Sequence, residues 1–173
     1  MFAEIGIGLI VLLKYAIPVA IVFVPFFAGW GNFVLDSIDG DFLLPLGLSD
    51  SVYQLIDKSA DWITYVGMVI AAWRFKWGIR KWVYILFGLR TVGQLAFFIT
   101  LDERVFFLFP NFLEPLFLIF ATIVFFKKAK AYDFYLKHKV AIWLGVIIYK
   151  MQDEYITHIG NIDRTEIISR FFS

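Results

Sequence analysis

The sequence predicts an all-α fold: a single-domain polytopic membrane bundle of about five transmembrane helices, four on a shorter count, with one amphipathic external segment. Three observations predict it. Of 173 residues, 61% are hydrophobic and only 18% charged, well beyond the apolar share of an ordinary soluble domain. The apolar residues gather into stretches approaching the roughly 20 that a helix needs to cross a bilayer. The basic residues concentrate in two short connections between those stretches. Twenty-one Phe, eight Tyr and six Trp supply lipid-facing bulk and interfacial anchors.

The first span is expected over 5–27. A second register would start near Tyr15 and reach Leu35, which moves Lys14 from the bilayer to an interface. Pro18 and Pro25 kink this segment or shift its ends. Glu4 stands where a secretory signal would carry Lys or Arg, so the segment reads as a retained helix. The stretch 28–57, rich in Gly, Pro and Asp, reads as a structured acidic loop with an amphipathic helix starting near Ser49 or Ser51. Further spans are expected over 58–73, 82–99, 105–126 and 140–156. The fifth is the shortest in apolar terms, because Lys150, Gln152, Asp153 and Glu154 follow Tyr149 closely. Gly67, Gly88, Gly93 and Gly145 are expected to mark close helix contacts. No internal repeat supports a transporter of inverted halves.

Charge orients the chain. The connections 74–81 and 127–139 carry more than half of the 16 Lys and Arg and are expected in the cytoplasm. The N-terminus then lies on the cytoplasmic side and the acidic loop 28–57 outside.

Arg90 sits near the middle of its span, where an ionised side chain costs about 2.5 to 3.5 kcal/mol unless it meets a partner or water. Glu114 is the expected partner. With a turn centred near Asp102, the two residues lie twelve positions from it on adjacent antiparallel helices. Gln94, one turn past Arg90, and Asn111, three residues before Glu114, would join them. Lys150, Glu154 and His158 recur at i, i+4, i+8 along one face of the last segment, beside Asp153. Arg90, Gln94, Asn111, Glu114, Lys150 and Glu154 are therefore the candidate substrate- or ion-binding set. Structural readings stand beside this one: a register-fixing ion pair for Arg90, and a helix end leaving the membrane for Lys150. Asp153, Glu154 and His158 are weak metal candidates, since a single i, i+4 pair lacks a second ligand set.

Other chemistries are excluded more firmly. There is no Cys, which removes disulfides and thiolate sites. A net charge of +1 gives no nucleic-acid footprint. "LDSIDGDF" lacks calcium-loop spacing. No G-x-S-x-G, H-E-x-x-H or phosphate-loop motif occurs, so no cofactor is expected and no catalytic residue is assigned. Expected partners are membrane lipids, a second copy or a larger membrane complex. Three classes remain: a channel or carrier of a small ion or polar solute, a membrane enzyme acting on a lipid or isoprenoid, and an accessory subunit of a membrane complex.

Overall fold

A computed structural model describes residues 2–156. All regular structure among them is helical: α1 (Phe2–Ile21), α2 (Pro25–Leu43), α3 (Asp50–Arg74), α4 (Arg80–Thr100), the single turn α5 (Val105–Leu108), α6 (Leu113–Lys127), a 3-10 turn (Lys128–Lys130) and α7 (Ala131–Glu154). The all-α expectation holds. Two helices, over Ala3–Ile21 and Arg80–Thr100, are long and apolar enough to cross a membrane. The others fall short for visible reasons: α6 has only 15 residues, and α3 and α7 carry charges along their length.

The stretch 28–57 is not a loop. After the three-residue connection 22–24, Pro25 at the first position of α2 starts a new helix, using a residue whose missing N–H a helix start leaves unneeded. α2 runs on through Asp36, Asp39 and Asp41, and only 44–49 separates it from α3. The Gly and Asp residues that read as turn signals are helical here because tertiary partners claim them. Gly29 lets the Leu118 and Phe117 side chains approach, and Asp39 is fully buried against Lys14.

Contacts between side chains fix the directions. Lys14 meets Asp36, and Gly6 meets Leu46, so α1 and α2 are antiparallel. Lys14 meets Asp57, Tyr15 meets Ser59, and Pro18 meets Gly67, so α1 and α3 are parallel. Tyr65 against Arg90, with Lys58 reaching Glu103 just past the end of α4, sets α3 and α4 antiparallel. Stacking of Phe26 on Phe125 and the Trp30–Thr122 bond set α6 antiparallel to α2. Phe120 against Tyr135 and Asn111 against Glu154 set α7 antiparallel to α6, so the six long helices alternate. Connections 22–24, 75–79 and 128–130 gather at one end with the basic residues; 44–49 and 101–104 gather at the other.

Of the four marked glycines, two are close contacts. A Cβ on Gly67 would lie 2.6 Å from the Pro18 carbonyl oxygen, and one on Gly93 would lie 2.6 Å from the Phe109 Cβ. Gly88 and Gly145 face open space.

Large apolar side chains stand on the outside, while several charged and polar ones lie within a core that is otherwise apolar. Ile99 is 83% exposed, and Leu12, Trp73, Phe126, Val140 and Ile148 also stand on the outside. Lys14, Asp39, Asp57, Arg90, Gln94 and Glu154 are buried. Toward the basic end the interior turns apolar: Met68, Ala71 and Ala72 pack with Trp77, Phe117 and Phe120, the Trp77 ring 4.9 Å and 5.1 Å from the two Phe rings.

Candidate functional site

α4 ends at Leu101 in the left-handed conformation (φ 54°), and Arg104 clasps Asp102 in the exposed turn that follows, holding its carboxyl below the usual range. The chain then folds back into the bundle. α5 buries Phe106, stacked 5.3 Å from Phe97. Phe109 leaves helical geometry, Pro110 removes a backbone donor, and α6 begins at Leu113. α6 therefore starts inside the protein, at the level of Arg90, rather than at an end.

Four elements meet at this break. Arg90 on α4 donates through Nη1 to the Phe109 carbonyl (3.0 Å) and through Nε to the Tyr65 hydroxyl of α3 (3.4 Å). Its guanidinium lies 4.1 Å from the centre of the Phe106 ring. Its carboxylate partner is Glu154 of α7, at 3.7 Å. Glu154 also accepts the backbone N–H of Asn111 (2.9 Å). The Asn111 amide donates to Tyr65 (3.0 Å) and Glu114 (3.2 Å), and its oxygen accepts the Glu114 N–H (3.2 Å), in the manner of an N-cap. Lys150 holds Asp153 at 2.5 Å and stands 3.8 Å from Glu154.

Arg90, Asn111, Glu114, Lys150 and Glu154 thus meet, Gln94 lies buried one turn beyond Arg90 without a contact to them, and one pairing needs correction. Arg90 pairs with Glu154 and not with Glu114. The sequence argument assumed a simple turn near Asp102, whereas the chain from 101 to 112 re-enters the bundle. Glu114 then falls in the first turn of α6, where Asn111 holds it beside the positive end of the helix. Tyr65 carried no expectation and sits at the centre. The signal available was its position one helical turn past Asp61 on an otherwise apolar stretch. Of the weak metal candidates, Asp153 and Glu154 face Lys150 and Arg90, and His158 lies outside the described residues.

A second cluster went unforeseen. Lys14 of α1 is 3% exposed and sits among Asp36 (3.2 Å), Asp39 and Asp57 (2.5 Å). One carboxylate oxygen from each aspartate lies within 4.8 Å of the others, a spacing that suits a bound cation. The Lys14 ammonium fills that position, so a metal ion would have to displace it. Tyr53 donates to Asp39 (3.0 Å), and Lys58 bridges Asp57 (2.7 Å) and Glu103 (3.9 Å). The readable signals were Asp36/Asp39 at i, i+3 and Asp57/Asp61 at i, i+4; reading 28–57 as a loop hid the first pair.

α3 joins the clusters. Asp57, Lys58, Asp61 and Tyr65 follow one another up its inner side, and the Lys58 ammonium lies 5.5 Å from the same Phe106 ring that faces Arg90. Along this path four basic side chains (Lys14, Lys58, Arg90, Lys150) stand against eight carboxylates, so the interior favours cations. Comparison of the chain with protein-family models, with curated proteins and with solved structures finds no match.

Proposed function

We propose that the chain is an integral membrane carrier that binds a small ion or polar solute at half-depth, beside Arg90, Asn111, Glu114 and Glu154. The observation that carries this reading is the backbone break at Phe109–Phe112. Non-helical backbone at membrane depth is tolerated only where protein buries it or a polar cavity hydrates it. Broken helices whose ends point at charged groups are the usual binding elements of small transporters. Here the freed Phe109 carbonyl and Asn111 N–H engage Arg90 and Glu154.

The many exposed apolar side chains support a lipid environment, since apolar faces of this extent would be costly in water. With six long helices alternating, the positive-inside rule puts the basic end in the cytoplasm. The start of α1 then lies outside, because α2 adds a crossing. The polar path runs toward the acidic, external end, where Asp36 and Glu103 are about a third exposed, and the Trp77–Phe117–Phe120 packing fills the other. Such one-sided access fits a carrier better than an open channel.

Purified protein in proteoliposomes, assayed for flux of sodium, potassium, protons and small zwitterions, tests this. Flux of one species, abolished by Arg90→Ala and by Glu154→Ala in correctly folded protein, is expected. Flux that persists in both variants removes the carrier reading. Silence toward every probe favours an accessory subunit.

A further inference from the structure

Gln94 is 1% exposed, and neither its Oε1 nor its Nε2 has a hydrogen-bond partner. Leaving such groups dry costs about 1 to 3 kcal/mol each, which makes an orphaned amide in a polar interior a pointer to something it binds. Its surroundings identify the chemistry. Gln94 stands one turn beyond Arg90 on the same face of α4. Because α3 and α4 are antiparallel and Tyr65 meets Arg90, that turn lies at the level of Asp61. Asp61 is half-buried and makes no hydrogen bond or ion pair among the described residues.

Neighbouring cations are already engaged. Lys58 is held by Asp57 and Glu103, and Arg90 by Glu154. The charges around Asp61 are Asp57 and Lys58 on α3, Arg90 on α4 and Glu114 on α6, with Asp36 on α2 farther out and Glu103 ahead of α5 reaching it through Lys58. Carboxylates outnumber cations there. A bare metal ion would satisfy Oε1 of Gln94 and repel Nε2. A water molecule satisfies both, accepting from Nε2 and donating to Oε1.

We propose that Asp61 and Gln94 form a proton-exchange site on the route between the Lys14 and Arg90 clusters. Gln94 orients a water beside the Asp61 carboxylate. Hydronium arriving from the acidic end gives its proton to a carboxylate oxygen, which forms the carboxylic acid and leaves water. Release reverses the step toward the water on the other side. The inference rests on the carrier reading and names the proton as the ion it moves or couples to.

The test uses the full chain in proteoliposomes with a pH-sensitive dye inside and an imposed pH gradient, comparing wild type, Asp61→Asn, Gln94→Leu and the remote Asp133→Asn. Size-exclusion profiles establish that each variant folds. Loss of a positioned proton acceptor is expected to cut proton flux by about a hundredfold in Asp61→Asn, with a smaller loss in Gln94→Leu and none in Asp133→Asn. An infrared pH titration of each purified protein is expected to contain a carboxyl band missing from Asp61→Asn and shifted in Gln94→Leu. If wild type moves protons and both site variants match it, the inference fails and the carrier reading stands. If no species moves but the Asp61 band titrates and responds to Gln94→Leu, the site stands and the carrier reading fails. Sodium flux lost in Asp61→Asn with no response to the pH gradient would overturn the proton assignment. Absence of flux and of an Asp61 band removes both.

Discussion

Arg90 is tolerable in the interior because its guanidinium is met on several sides. A carbonyl, a phenol, a carboxylate and an aromatic face surround it. Removing one member of such a set exposes the others. Glu154→Leu leaves the cation unpaired and is expected to cost about 3 to 5 kcal/mol in detergent unfolding, as does Arg90→Met, while the double substitution recovers a large part of that loss. Glu114→Gln keeps the Asn111 contact, breaks no ion pair and is expected to cost under about 1.5 kcal/mol. A cycle that couples Arg90 to Glu114 more strongly than to Glu154 would contradict the assigned pairing. Apart from Tyr65, the residues of this site were legible as polar groups out of place in apolar stretches, a signal that needs no partner to be visible. Their pairing was not legible, because it depends on how 101–112 folds, and the spacing of Arg90 and Glu114 fits a simple hairpin equally well.

At the scale of elements, short-range signals misled where tertiary contacts override them. Gly29, Gly31 and Gly40 with three aspartates looked like turn chemistry, yet they lie in α2, which is helical because α1, α3 and α6 pack around it. Lys14 was the missed clue: an isolated cation inside an apolar helix requires carboxylates nearby, and Asp36 and Asp39 are one helical turn apart. Lys14→Met removes the centre of three carboxylates that tie α1, α2 and α3 together. It is expected to lower the melting temperature by more than any single aspartate-to-asparagine change in the cluster. The glycines give a sharper contrast. Gly67→Ala drives a methyl into the Pro18 carbonyl, neither of which can move without separating α1 from α3, and an overpacking cost of about 1 to 3 kcal/mol is expected. Gly88→Ala meets nothing and replaces a poor helix former, so it is expected to be neutral or stabilising by up to about 1 kcal/mol. Equal effects at the two positions would place the α1–α3 contact elsewhere.

For the whole molecule, the added helix changes the topology that the proposed membrane carrier would have. Five crossings with cytoplasmic basic connections require the start of the chain to be cytoplasmic as well. Six alternating long helices place it at the opposite end, on the side of 44–49 and 101–104. Both arrangements keep 75–79 and 128–130 inside, so loop charge alone does not separate them; the start of α1 does. The chain has no cysteine, so single substitutions Glu4→Cys, Gly47→Cys and Ala129→Cys report without background. A membrane-impermeant thiol reagent applied to intact cells is expected to label positions 4 and 47 and to reach 129 only after lysis. Labelling of 47 but not of 4 would restore a five-span arrangement, with α1 and α2 making a single passage. In that case the Lys14 cluster would lie near a headgroup level, and the polar path would shorten to the half between Asp61 and Glu154.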